Sequence, residues 1–276
     1  MKREIMWVTY ISCLFFCLET IAQPSHLQEQ NGYISGSAYS THFMDAFSFS
    51  SNPSCTAGMK NFSAGVLMER KWMLKELNAY KISASGNIGN GGFGMALERS
   101  GDALYSEQSL DLAYGKNLGK TELGTRFGYL WDQASGYGNI GFGYCGIGMR
   151  MHVTDKLITG WELDLPVFGK AGKTNPEKGA QLFRMGFGYE AEEDLFLAIQ
   201  IEKASDRSSN LSASVEYRYG EQFFFSFGIN SVEASLFFKS GWKKNQLCIQ
   251  IYTVYENALG FSPGLVFLWH SKNRKG

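Results

Sequence analysis

Leu211-Ser212-Ala213-Ser214-Val215-Glu216-Tyr217-Arg218-Tyr219 decides the fold class. Taken at every second residue, one face carries Leu211, Ala213, Val215, Tyr217 and Tyr219. The other carries Ser212, Ser214, Glu216 and Arg218. A strand points successive side chains to opposite faces and separates these two sets. A helix would set Glu216 and Arg218 roughly 200° apart and scatter the apolar residues around its axis. The stretch is a strand with one apolar and one polar face.

Working outward, the same period recurs. Leu123, Phe127, Tyr129 and Trp131 oppose Glu122, Gly124, Arg126 and Gly128, and Phe183, Met185, Phe187 and Tyr189 oppose Arg184, Gly186, Gly188 and Glu190. Phe223, Phe225 and Phe227 oppose Phe224, Ser226 and Gly228, and Leu247, Ile249 and Ile251 oppose Cys248, Gln250 and Tyr252. Turn-forming groups punctuate them, among them Gly89-Asn90-Gly91, Thr154-Asp155-Lys156, Tyr219-Gly220-Glu221 and Lys243-Lys244-Asn245. From Phe62 to Trp269 there are about fourteen such segments, most near the roughly ten residues that a tilted membrane strand needs. Mid-strand charges (Glu98, Asp111, Arg126, Arg184, Glu190, Glu202, Glu216, Arg218) sit on the polar face, where a barrel lumen pairs or hydrates them. A soluble β-sandwich would not carry so many long aromatic-rich stripes. The expected fold is all-β, a transmembrane antiparallel β-barrel.

The flanks agree. Lys2 and Arg3, an apolar run from Ile5 to Leu18 and the small residues of Thr20-Ile21-Ala22 form a secretory signal peptide over residues 1–22, cleaved after Ala22. The barrel is expected over 62–270, followed by a short basic tail at 271–276. The destination is the outer membrane, with lipid as the surrounding partner. The chain holds 32 Gly, 21 Phe and 14 Tyr but 5 Pro, and its 26 basic and 26 acidic residues balance, which offers nothing to nucleic acid. Cys55, Cys145 and Cys248 are too few and too widely spaced for a disulfide framework, although one bridge stays open.

Residues 23–61 break the period. They contain Gly36-Ser37-Ala38, then Phe43-Met44-Asp45-Ala46-Phe47, then Asn52-Pro53-Ser54 and Ala57-Gly58. Small residues with a few aromatics suit a lumen plug, a periplasmic tail being the alternative. These blocks resemble the N-terminal signature of FadL-like barrels, in which an Asn-Pro-Ala-Gly block precedes the first strand. Within that group the chain is similar to the PorV-type proteins associated with type IX secretion. Gly148-Met149-Arg150, Asp155-Lys156-Leu157 and the run from Asp164 to Gly169 add to that likeness. Ser54 stands where alanine is usual, and Cys55-Thr56 interrupts the block. Asn52-Pro53, Ala57-Gly58 and Arg70-Lys71-Trp72 also resemble the PorP/SprF-type barrels.

No constellation for catalysis, cofactor or metal emerges. His26, His42, His152 and His270 are isolated, and Gly141-Phe142-Gly143 and Gly186-Phe187-Gly188 lie inside strands rather than before helices. The expectation is a non-enzyme. The PorV-type resemblance implies an accessory of protein secretion that docks secretion-system proteins or secreted cargo. The FadL-like resemblance implies instead a channel for a small hydrophobic ligand. In that case Phe43, Phe47, Asn52 and Pro53 would belong to the plug, with Phe224, Phe237 and Tyr252 lining the lumen. Arg184, Glu216 and Arg218 complete the candidate lumen residues; Glu216 with Arg218 is expected as a wall salt bridge, with ligand contact the alternative.

Overall fold

The computed structural model describes residues 36–136, 138–170, 181–205, 208–220, 222–231 and 234–271. The expected signal peptide, residues 23–35 and the tail from 272 onward lie outside the described residues. Fourteen antiparallel strands close into one barrel. Its first half is β1 (Ser63–Arg70), β2 (Asn78–Ile88), β3 (Gly91–Gly101), β4 (Tyr105–Asn117), β5 (Thr121–Ala134), β6 (Gly138–His152) and β7 (Leu157–Lys170). The second is β8 (Leu182–Glu192), β9 (Leu195–Ala204), β10 (Asn210–Tyr219), β11 (Phe223–Asn230), β12 (Ser235–Lys244), β13 (Leu247–Glu256) and β14 (Gly260–His270). Each strand pairs with its sequence neighbours, and β1 meets β14 with Ser63 opposite His270. Closure leaves no edge, so every backbone group of the wall can be bonded in a medium without water.

Side chains follow the period-two expectation. In β8, Leu182, Arg184, Gly186, Gly188 and Glu190 are buried while Phe183, Met185, Phe187 and Tyr189 are exposed. Exposed apolar residues recur around the whole exterior, from Phe127 (61%) and Ile251 (61%) to Ile82, Val167, Ile199 and Phe261. Such a continuous apolar mantle is stable in lipid and not in water, which places the protein in the outer membrane. The polar faces turn inward, and so does the N-terminal segment.

The connections 89–90, 118–120, 153–156, 193–194 and 245–246, none longer than four residues, and the start of β1 share one end of the barrel with the finish of β14. Short turns mark the periplasmic end of such barrels. At the other end lie 71–77, 102–104 and 257–259. Before β1 the chain forms two 3-10 turns, Gly36–Tyr39 and Ser48–Ser50, and a single helical turn α1 (Cys55–Gly58). All three are almost wholly buried against the inward face of the wall.

Candidate functional site in the barrel lumen

Two chemistries line the inside of this barrel. Across β5 to β9 the wall presents charge. Arg126 bonds Glu162 and Asp164, Arg184 bonds Glu162 at 2.9 Å and Glu202 at 2.7 Å, and Arg150 donates to Glu122 at 2.7 Å. The three guanidinium groups are nearly or fully buried. Buried charges of this kind persist only when paired and hydrogen-bonded.

The same side holds the N-terminal segment. Arg150 Nη1 donates to the carbonyls of Ala38 and Ser40, each at 3.0 Å, and Arg126 Nη1 donates to the Ser50 carbonyl at 2.6 Å. Tyr39 donates from its hydroxyl to Gln200 at 3.1 Å, and Ser83 of β2 donates to the Ala46 carbonyl at 2.5 Å. Asn52 ties two places together. Its Nδ2 donates to the Trp161 carbonyl at 3.0 Å, while its Oδ1 accepts from the Ser54 amide at 3.0 Å and starts the turn into α1. Backbone that leaves water must find such partners, and here the wall supplies them.

Glycine makes the approach possible. A β-carbon at Gly92, Gly124 or Gly188 would overlap the backbone of Thr56, Pro53 and Tyr39 respectively, and one at Gly94 would sit 2.7 Å from the Phe49 ring. Most inward glycines of β3 to β8 are thus the mould into which residues 36–58 fit, Gly128 and Gly146 being covered instead by Tyr144 and Asp164 of the wall.

From β11 round to β1 the lining changes. Ala46 and Phe47 join Leu67, Phe224, Phe237, Cys248, Tyr252, Val254, Val266 and Leu268 in one apolar cluster. Inward glycines occur here too, but the wall's own rings cover them. Phe237 lies over Gly228, Phe224 over Gly241 and Tyr252 over Gly264. Cys248 and Val254 belong to this strip and stand six residues apart on β13, so it runs about 20 Å along the strand at roughly 3.4 Å per residue.

At the periplasmic end the strip meets a cavity of about 1020 Å3, reached by Phe224, Cys248 and Leu268 and rimmed by Lys239, Lys243 and His270. The N-terminal segment forms the roof of this cavity through Phe43 and its neighbours. Phe43 stacks on Phe196 with ring centroids 5.4 Å apart, and the Arg218 guanidinium lies 3.9 Å above its other face. Glu190 clamps the preceding turn, accepting from Ser40 Oγ at 2.5 Å and from the amides of Thr41 at 2.7 Å and His42 at 3.0 Å.

The structure thus gathers most of the residues singled out by sequence. Phe43, Phe47, Asn52 and Pro53 lie inside the wall, and Arg184 belongs to the charge network. Glu216 and Arg218 do not depend on each other as expected. Glu216 bonds Lys239 at 2.7 Å, and Arg218 donates to the His42 carbonyl at 2.5 Å. Residues two apart on a strand are separated by about 7 Å, whereas Ser226 leaves Lys239 room to reach across from β12. Cys55, Cys145 and Cys248 are free thiols. Sequence reasoning passed over Arg150 and Glu162 as site residues, and the inward glycines flanking them (Gly124, Gly148, Gly160) were the available signal.

No protein-family model and no curated sequence matches the chain. Its fold, however, is shared with solved outer-membrane channels. The CymD monoaromatic hydrocarbon channel superposes with a TM-score of 0.60 over 88% of this chain and 99% of that one, at 10% identity. The deltaS2 mutant of the TodX monoaromatic hydrocarbon channel gives 0.59 over 89% and 100%, also at 10% identity.

Proposed function

We propose that this chain is an outer-membrane channel for small hydrophobic solutes, with residues 36–61 as a plug in its lumen. The carrying observation is the apolar strip from Val254 to Leu268, which faces Phe47 and opens on the periplasmic cavity of about 1020 Å3. A cavity of that size suits a small organic molecule, and an apolar lining offers such a solute a surface that water does not contest. Asn52 and Pro53 seat the plug, Phe43 and Phe47 face the route, and Arg184 sustains the charged wall behind the plug. Glu216 and Arg218 stand at the periplasmic mouth.

The two hydrocarbon channels that share the fold favour this reading over the docking of secretion-system proteins or secreted cargo. Radiolabelled toluene taken up by whole cells tests it, because the lipopolysaccharide leaflet, unlike a phospholipid vesicle, resists such solutes. Expression of the protein should raise the initial rate above that of cells lacking it. Equal rates, with stoichiometric protein partners recovered from native membranes, would return the docking reading to first place.

A further inference from the structure

We infer that solute passes along the seam between Phe47 and the β11–β14 wall while the plug stays seated, so that Phe47 is the gate and sets the size limit. The inference rests on the channel reading. Its own grounds are the unequal attachments of the plug. On the side of β2 and β5 to β9, the plug is held by Arg126, Arg150, Glu190, Gln200, Ser83 and the Trp161 carbonyl. Most of these groups are buried, and displacing the plug would take from Nη1 of Arg126 and Arg150 their carbonyl acceptors and from Glu190 the donors of residues 40–42, which is costly. On the opposite side Phe47 meets side chains that are apolar and replaceable by an apolar guest.

Space along the seam can be created without moving the backbone. Phe224 and Phe237 lie over glycines of the neighbouring strands and narrow the route by their ring positions, while Tyr252, over Gly264, is also tied through its hydroxyl to Glu69 at 2.7 Å. Ring rotation is a fast local motion, whereas extraction of the plug breaks many buried bonds at once. The strip also ends where the cavity begins, since Phe224, Cys248 and Leu268 belong to both. A solute that clears Phe47 therefore descends into the cavity toward the periplasm.

A tether separates a seated plug from a departing one. A β-carbon at Gly36 stands 3.6 Å from that of Ala198 on β9, within the range of a disulfide. The pair Gly36→Cys with Ala198→Cys should therefore pin the plug to the charged side. In cells expressing this variant, toluene uptake in the oxidised state should match that after reduction within about twofold, with Ellman titration confirming the bond. In the untethered protein, Phe47→Trp should lower uptake at least about threefold by overfilling the seam, and Phe47→Ala should raise it and admit bulkier aromatics such as naphthalene. Uptake blocked by oxidation and restored by reduction would overturn the seam, as would Phe47 variants with unchanged rates and size limit. If the unaltered protein gives no uptake above the control, the channel reading itself fails and the seam falls with it.

Discussion

Both halves of this lumen are built on inward glycines, yet they put the same absence of a side chain to opposite uses. Along β3 to β8 most inward glycines receive a foreign surface, the backbone and rings of residues 36–58, although Gly128 is covered by the wall's own Tyr144 and Gly146 by Asp164. Along β11 to β14 they receive rings from their own wall, Phe224, Phe237 and Tyr252. A close approach by backbone is fixed, because its hydrogen bonds have one geometry. The Phe224 and Phe237 rings laid over glycines are held by contact and have alternative rotamers, whereas Tyr252 also donates from its hydroxyl to Glu69 at 2.7 Å. Equal composition therefore yields a rigid seat on one side and an adjustable surface on the other. What decides between them is whether charged donors stand beside the glycines.

The largest expected effect tests the rigid half. Arg126→Met removes a guanidinium that serves Glu162, Asp164 and the Ser50 carbonyl. Glu162 keeps Arg184, but leaving the buried Asp164 carboxylate and the Ser50 carbonyl without the guanidinium should cost about 3–5 kcal/mol, read as a marked fall in the temperature at which the folded band is lost on a heat-modifiability gel. An unchanged transition would mean that the charge network does not hold the plug.

A substitution on β10, the strand between the halves, should ignore them. Val215 belongs to the outward, lipid-facing set of the strand, so Val215→Arg should cost about 2–4 kcal/mol near the membrane midplane. The inward neighbour Ser214 faces Gly36 of the N-terminal segment, with Oγ 2.7 Å from where a Gly36 β-carbon would stand. Ser214→Arg, mild in an open lumen, should here disturb the plug and still cost less than Val215→Arg. The reverse order would place this face away from lipid.

The sharpest comparison is also the smallest. Gly186→Ala drives a methyl into the ring of Tyr39, which is fully buried and bonded to Gln200, and should cost about 1–3 kcal/mol. Gly241→Ala first meets the Phe224 ring, which lines the periplasmic cavity and can swing into it, so its cost should stay below about 1 kcal/mol. Equal costs on the same gel assay would erase the distinction between seat and adjustable wall.

The barrel was legible in the sequence because a membrane wall writes itself in period two. Phe183 to Glu190 could be assigned to its two faces without knowing any partner strand. The lumen was less legible. Its contacts join residues far apart in the chain, as Asn52 with Trp161, Tyr39 with Gln200 and Arg150 with Ala38 do. No local pattern states such a pairing. The rule that neighbouring charges pair failed at Glu216, because the partner in space, Lys239, stands two strands away. The glycines carried the missing information in a form that composition alone could not resolve, since a covered glycine and an open one are the same letter.

The seam between β1 and β14 has a consequence for the order of assembly. Ser63 and His270 come from opposite ends of the barrel sequence, and their pairing closes the largest loop in the chain. Loop closure of that kind is entropically slow and belongs late in folding. The segment seated inside, residues 36–61, precedes β1, and its buried hydrogen-bond partners stand on β2 and β5 to β9 rather than on the last ladder, so it should be seated before that ladder zips. During folding into vesicles, those residues should gain protease protection no later than the folded gel band appears, and a folded band that precedes protection would contradict this order.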